Sequence, residues 1–419
     1  MLWLDTINLA TGFFLTMCYA YQLFYILYAL VIRPKRFPKV KQTRRYAVMI
    51  SARNEAQVIG QLIQSIREND YPSYLVDIHV VADNCADDTA AICRQAGAYV
   101  VERFNQVQKG KGYALNDLYT QIVANKGSDY YDGYFVFDAD NLLDKRYITE
   151  MDKCFAQGHR IITSYRNSKN YGTNWISSGY SLWFLREAAY LNHPRFMLKT
   201  SCAISGTGFL LHKDILKDQN GWKHYLLTED IEFSADNIAK GEKIAYCHWA
   251  MIYDEQPVTM AQSWTQRLRW SKGFLKVMRN YSPKLLKNIP KKGFSCFDIL
   301  MTIAPAFFLT VSNLLLNVGA LVYSLIWKSE VTSQILAGNL QMILWAYLLL
   351  FVVGLITVLT ERKHIRCNSW KKVLSVFTFP VFIFTYIPIS IHALFARVEW
   401  KPITHSVAIH LDDLDQANA

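Results

Sequence analysis

No CxxC pair and no Cys/His cluster at zinc spacing occurs in the 419 residues, which excludes a zinc-ribbon or thioredoxin-like reading. The eight cysteines, at positions 18, 85, 93, 154, 202, 247, 296 and 367, are scattered, a pattern that predicts reduced thiols in a cytosolic setting. Internal repeats and low-complexity tracts are also missing, so a repeat array is not in view. Formal charge is absent from residues 9–32, and that block is long enough for a bilayer core needing roughly 20 apolar residues. It lacks a basic leader and a small-residue cleavage site, and therefore reads as a retained anchor rather than a signal peptide.

Acids are missing from the next stretch. Arg33, Lys35, Arg36, Lys39, Lys41, Arg44 and Arg45 follow one another without one carboxylate, which predicts a cytoplasmic flank. Lys284, Lys287, Lys291, Lys292, Arg362, Lys363, Arg366, Lys371 and Lys372 likewise flank apolar blocks. The net charge of +11 is thus explained by membrane topology, and nucleic acid is not an expected partner.

The 52% hydrophobic content is concentrated in a few long blocks, so soluble and membrane parts are both expected. Residues 1–45 form the anchor and basic linker. Over residues 46–262 short apolar runs alternate with helical patterns: strands near 46–50, 76–82, 99–102 and 134–137, with helices near 56–67, 88–96 and 113–124 between them. This alternation predicts an α/β domain with a mostly parallel sheet, whose ligands sit beyond the carboxyl ends of the strands. Residues 263–297 mix aromatic, apolar and basic residues as interfacial helices do. Residues 298–396 hold three membrane blocks, 299–327, 335–359 and 373–395, and the tail 397–419 turns acidic and disordered after His410.

Ser51-Ala52-Arg53-Asn54-Glu55 and Asp83 follow strands, where a carboxylate and a turn can meet base or ribose; alone, the first segment reads better as a solvated strand-end loop. Lys109-Gly110-Lys111-Gly112 lacks the spacing and Lys-Ser/Thr pair of a Walker loop, but brings an ammonium toward phosphate at a helix start. Asp138 and Asp140, two apart after a buried strand, can share one hard cation, Mg²⁺ or Mn²⁺, on a diphosphate. Thr228-Glu229-Asp230 opens a helix; its acids suit the helix dipole, and one can deprotonate a sugar hydroxyl. Gly206-Thr207-Gly208 allows close approach of an acceptor, or is an ordinary tight turn. Gln266, Arg269 and Trp270 share a helix face, offering a fork for diphosphate oxygens and a flat ring for a sugar.

Together these residues resemble the membrane-bound branch of glycosyltransferase family 2, the group of cellulose, hyaluronan and poly-N-acetylglucosamine synthases. The resemblance covers about residues 45–275 and the later membrane helices. It implies a nucleotide-diphospho-sugar transferase fold combined with transmembrane helices, a UDP-sugar donor and inversion at the anomeric carbon. On it, Asp230 matches the general base, with Glu229, Gly206, Thr207, Gly208 and Trp270 toward the acceptor. Ser51, Arg53, Glu55, Asp83, Lys111, Asp138, Gln266 and Arg269 match the donor site, and Asp138 and Asp140 the metal site. Two departures stand out: Ala82 occupies the first position of a frequent Asp-Asp pair, and only one anchor precedes the domain.

The leading expectation is processive polysaccharide synthesis from UDP-GlcNAc or UDP-glucose at the plasma membrane, with a cytosolic catalytic domain and room for an accessory membrane subunit. The enzyme alternative is transfer of one sugar to a lipid-linked acceptor. A non-catalytic scaffold or transporter is the third reading, disfavoured because the long blocks hold almost no ionisable residue besides His392. Two arguments diverge on the C-terminus: counting crossings puts Trp400 to His405 outside, whereas Pro380 and Pro388 permit a broken helix that returns Trp400, Thr404 and His405 to the donor-site mouth.

Overall fold

The computed structural model describes residues 2–303, 305–327, 331–399, 403 and 405–416. Helix α1 (Leu2–Val31) leads into an extended linker that crosses the α/β domain, where Lys35 accepts a bond from the Trp249 indole at 3.1 Å and Arg36 lies over the same ring. The first half of the domain then alternates as expected: β1 (Tyr46–Ala52), α2 (Ile59–Arg67), β2 (Val76–Asp83), α3 (Thr89–Gln95), β3 (Tyr99–Arg103), α4 (Lys111–Lys126) and β4 (Gly133–Asp138). Its strands are apolar on both faces because helices cover both, as a parallel sheet requires.

The second half is less regular: β5 (Leu142–Leu143), α5 (Tyr147–Phe155), β6 (Ile161–Ser168), α6 (Trp175–Glu187), α7 (His193–Met197), β7 (Phe209–His212), α8 (Lys213–Lys217), α9 (Glu229–Lys240) and β8 (Ile244–Asp254). All eight strands make one sheet in the order β3-β2-β1-β4-β7-β6-β8-β5. Strand β7 runs antiparallel to both neighbours and β5 antiparallel to β8; the remaining pairs are parallel. The carboxyl ends of β1, β2, β4, β6 and β8 therefore share one edge.

Beyond the domain lie α10 (Met260–Lys292), α11 (Phe294–Ile303), α12 (Pro305–Ile326), α13 (Thr332–Glu361), α14 (Ser369–Phe384), α15 (Tyr386–Phe395) and α16 (Asp413–Gln416). Among the described residues three segments are long and apolar enough to cross a membrane: Leu4–Val31, Thr332–Glu361 and Ser369–Phe395. Helices α11 and α12 cover the expected block 299–327, and among the described residues it holds the apolar stretches Phe294–Ile303 and Thr310–Ile326. Asp298 accepts two bonds from Arg195 of α7 and one each from Tyr21 and Tyr25 of α1, fastening α11 to the domain.

The final block also differs from a plain crossing. Helix α14 lies along α6: Cys367 and Lys371, at its approach and first turn, pack against Gly172, and Phe382 near its end packs against Gly179 and Tyr180. At the end of α15 the Ala393 carbonyl accepts from Lys272 of α10, and beyond it His405 and Ser406 lie against Glu55 and Glu255 of the domain. The tail is folded rather than disordered over its described part, with Leu414 buried against Leu142 and Tyr253. Trp400 and Thr404 lie outside the described residues.

Candidate active site

The shared strand edge opens into a cavity of about 310 Å³. Ser51 and Asp138 are register partners on β1 and β4, so two loops start side by side. The β1 loop turns through Asn54 at φ 58°, and Asn54 Oδ1 accepts from the Ala86 N–H while the Thr89 hydroxyl accepts from the Glu55 N–H. These bonds join it to the β2 loop and put Ser51, Arg53, Glu55 and Asp83 on one wall. Asp83 is buried, with one oxygen 2.7 Å from the Arg103 guanidinium; burial raises its pKa, and Arg103 opposes that.

Lys111 crosses the floor. Its Nζ is 2.5 Å from Asp138 Oδ1, 2.8 Å from the Gly206 carbonyl and 3.9 Å from Glu229 Oε1. Gly112 beside it has no room for a Cβ, because the His224 carbonyl occupies that position. Gly206 lies in the centre: a Cβ there would stand 3.8 Å from Asp230 Oδ2, 3.9 Å from Asp138 Oδ2 and 3.8 Å from Arg166 Nη1. Thr207 and Gly208, in contrast, do not line this cavity. Thr207 is buried, its hydroxyl accepting from the Asp138 N–H and bonding Asn141, while the Gly208 N–H reaches the Val136 carbonyl. Of the three residues of this turn only Gly206 lines the cavity, beside the other expected acceptor residues Glu229 and Trp270; Thr207 and Gly208 hold the end of β4.

Asp230 and Glu229 occupy the first turn of α9, both on the wall. Burial raises the Asp230 carboxyl above its ordinary range against the Ile231 N–H and Lys111. Glu229 is pushed up to about 7 by burial and by Asp230, against Lys111 and Arg269. Helix α10 seats on this turn because Gly273 has no side chain where Thr228 packs. That contact brings Gln266, Arg269 and Trp270 to the wall, with Gln266 Oε1 and Arg269 Nε buried and unpartnered among the described residues. Arg267 between them turns away and bolts α10 to the last block, donating to Thr385 Oγ1 at 2.7 Å and the Phe382 carbonyl at 3.2 Å.

Asp140 is buried with one oxygen accepting the Glu255 N–H at 2.8 Å. Burial works to raise its pKa, but His405, Lys169, that N–H and Arg166 together hold it below the usual carboxylate range. His405 is 3.0 Å from both oxygens of Glu55, and the Ser406 and Val407 N–H groups donate to Glu255. Despite burial, Asp140, Glu55 and Glu255 raise the imidazole to about 10. The segment His405–Val407 therefore reaches the acidic wall.

Sequence reasoning missed the far wall. Arg166, at the end of β6, pairs with Asp254 at the end of β8, donates to the Ser205 carbonyl at 2.7 Å, and lies 3.6 Å over the Phe184 ring. Burial pushes Asp254 up to about 6 against Arg166. Trp183, Arg186, Glu187 and Arg195 extend the wall toward α1 and α11. The only sequence signal for Arg166 and Asp254 is that each ends a strand.

The carboxylates fit a divalent cation on a donor diphosphate. Among the described residues no three metal-type groups form a cluster by themselves. Asp138 has one oxygen turned from Lys111 toward the centre, however, and the donor set is hard oxygen suited to an ion whose shell is completed by phosphate and water.

A family model described as "Glycosyltransferase like family 2" matches residues 43–273. The chain is 24% identical over 394 residues to the "Probable glycosyltransferase YdaM" of Bacillus subtilis, covering 88% of this chain and 86% of that one. It is 26% identical over 232 residues to the beta-monoglucosyldiacylglycerol synthase of Synechocystis, and 24% identical over 255 residues to the poly-beta-1,6-N-acetyl-D-glucosamine synthase of Staphylococcus epidermidis. These stretches are 54% and 58% of this chain and 47% and 58% of those two synthases, so the chain spans about half the length of each. The fold matches that of a mannosyltransferase from Pyrobaculum calidifontis solved with GDP-Man and Mn²⁺, at a TM-score of 0.60 and 15% identity, covering 94% of this chain and 99% of that one. With more than half its length matched by the family model, the chain belongs to glycosyltransferase family 2 and is a glycosyltransferase.

Proposed function

We propose that the enzyme is an inverting membrane glycosyltransferase that moves one hexosyl group from a UDP-sugar, UDP-glucose or UDP-GlcNAc, to a hydroxyl borne by a membrane lipid. The observation that carries this reading is the course of the cavity. It runs from Ser51, Arg53 and Asp83 past Asp138 and Asp230 to Thr302 of α11 and to Arg186, which bonds Gln22 of the candidate span α1. An acceptor anchored among these helices meets the donor without leaving the membrane surface. The basic flank of α1 supports a cytosolic orientation of the domain.

In this mechanism Asp230 takes the proton of the acceptor hydroxyl as its oxygen attacks the anomeric carbon on the face opposite the diphosphate. The bond from that carbon to the phosphate oxygen breaks, and its electron pair leaves with UDP. Lys111 and Arg269 meet the negative charge that develops, and the uncommitted Arg269 Nε and Gln266 Oε1 are available for diphosphate and sugar contacts. Asp138 and Asp140 would hold a Mg²⁺ or Mn²⁺ ion, whose chemistry is to neutralise the diphosphate and improve it as a leaving group. Ser51, Arg53, Glu55 and Asp83 serve the nucleoside end.

A second reading, elongation of a polysaccharide, is favoured by one feature. Trp270 stands on the wall with Tyr180 and Phe184 edge-on to its ring, at 5.8 and 6.2 Å, and such a platform suits a terminal sugar of a chain. Incubating detergent-purified protein with single radiolabelled UDP-sugars, Mg²⁺ or Mn²⁺, and membrane lipids separates the two. A labelled glycolipid carrying one sugar supports the first reading, a polymer ladder the second, and absence of any sugar transfer refutes both.

A further inference from the structure

The cations lining the cavity differ in what already neutralises them. Lys111 is paired with Asp138, Arg166 with Asp254, Arg195 with Asp298, and His405 with Glu55. Arg269 belongs to the proposed diphosphate site. Arg186, at the end of α6, makes no ion pair among the described residues; its one hydrogen bond there is from Nη2 to the neutral Gln22 Oε1 at 3.0 Å. Glu187 next to it is shared electrostatically with Arg166 and Arg195, and takes the Ser205 hydroxyl at 3.3 Å. Burial lowers the Arg186 pKa and the neighbouring Arg195 adds to that, while Glu187 opposes both. A guanidinium carries five donors, and this one keeps most of them for the cavity.

Its surroundings say what kind of anion belongs there. The Trp183 ring, 5.1 Å from the guanidinium carbon, limits the plane the group can adopt. Leu191 and Thr302 continue the wall on the side of α11. Gln22 lies nine residues before Val31, the end of α1, about 14 Å along the helix axis. The free donors thus face a compartment bounded by a candidate membrane helix, where an anion with an apolar attachment fits and a freely hydrated one is disfavoured.

Resting on the lipid-acceptor reading above, we infer that Arg186 binds a phosphate of the acceptor, so that the substrate class is a phospholipid whose phosphate lies between its acyl anchor and its accepting hydroxyl. With the phosphate on Arg186, the hydroxyl extends along the cavity toward Asp230. That hydroxyl then loses its proton to Asp230 and forms the new bond to the anomeric carbon as UDP leaves. Arg186 sets which acceptor is used and takes no part in the bond changes.

The test uses full-length protein in mixed micelles of a phosphate-free detergent, with radiolabelled UDP-sugar and either dioleoyl phosphatidylglycerol, which has a phosphate and free hydroxyls, or neutral dioleoylglycerol. The expected wild-type kcat/KM favours phosphatidylglycerol by roughly ten-fold or more. That ratio falls close to one in Arg186→Gln and is partly kept in Arg186→Lys, because Lys retains the charge but not the fork. Dioleoyl phosphatidic acid, an anion without the hydroxyl, competes with phosphatidylglycerol. A wild-type ratio near one overturns the inference while leaving lipid transfer standing, as does a ratio unchanged in both variants. Stimulation of dioleoylglycerol transfer by phosphatidic acid also overturns it, since Arg186 would then hold a bulk lipid and not the acceptor. Polymer formation with no labelled lipid refutes the function on which the inference rests. Should Arg186→Gln fail to fold, the wild-type ratio and Arg186→Lys decide.

Discussion

Substituting Asp230→Asn and Glu229→Gln one at a time divides two adjacent acids by rate and by pH. Both lie on the cavity wall and both are raised by burial, and the Asp230 charge raises Glu229 further. A base works deprotonated, so a raised pKa makes turnover climb with pH across a range above that of an ordinary Asp, about 3.9. If Asp230 is the base, Asp230→Asn lowers kcat by a factor of roughly 10² to 10⁴, about 3–5 kcal/mol of transition-state stabilisation, at every pH. Glu229→Gln removes a negative neighbour. The Asp230 pKa then falls, the acid limb of the profile moves to lower pH, and kcat near neutrality stays within roughly ten-fold, the residual loss reflecting the Lys111 contact at 3.9 Å. Initial rates of UDP release from about pH 5 to about pH 9 give both results. Near-wild-type turnover in Asp230→Asn, with a hundred-fold loss in Glu229→Gln, would transfer the role to Glu229 and refute this assignment.

Asp138→Ala and Asp140→Ala should weaken donor binding in a metal-dependent way, and wild-type activity should vanish in EDTA and return with Mg²⁺ or Mn²⁺; full activity after thorough chelation removes the ion from the mechanism. Trp270→Ala should reduce acceptor use more than donor hydrolysis, and Arg269→Lys should be poorly tolerated because Lys cannot reproduce a bidentate fork; unchanged acceptor kinetics in both leave α10 an anchoring role only. Arg267→Met should lower the thermal midpoint, the loss of its buried bonds to Thr385 and the Phe382 carbonyl costing about 1–3 kcal/mol, and an unaltered midpoint would mean that the last block does not depend on this bolt. A cysteine at the exposed Ser406, in an otherwise cysteine-free variant, should react with an impermeant reagent only after intact cells are opened.

The first four strands were legible to within a residue or two because each is a short apolar run bounded by turn residues and covered on both faces. The acids at their ends were legible for the same reason: a strand end in a parallel sheet has a known destination. The other half of the site was not. Strand β6, IITSYRNS, is polar in its second half, and a bulge between Ser164 and Tyr165 shifts its register on β8. The Arg166 and Asp254 pair joins residues 88 apart, and nothing local in either segment announces the other. Thr207 shows the opposite error. A Gly-Thr-Gly turn looks equally suited to a ligand or to a neighbouring strand, and only the bond to the Asp138 N–H decides for the strand.

The C-terminal block shows what composition alone leaves out. Residues 373–395 are apolar enough to span, and hydropathy counts them as a crossing. What hydropathy omits is the partner that covers an apolar face. Gly172 and Gly179 leave two shallow places beside α6, filled by Cys367 with Lys371 and by Phe382. Buried Arg267 donates to the carbonyl of Phe382 and the hydroxyl of Thr385, where α14 gives way to α15. These contacts give α14 a protein surface along one side, and α15 follows it after Thr385. The segment His405–Val407 is fastened by charge, with His405 on Glu55 and two backbone N–H groups on Glu255. Glu55 and Glu255 follow strands at opposite sides of the cavity and touch the same segment. The membrane block and the acidic wall are therefore mechanically connected: loosening α14 from α6 would also displace His405 from the carboxylates beside Asp140.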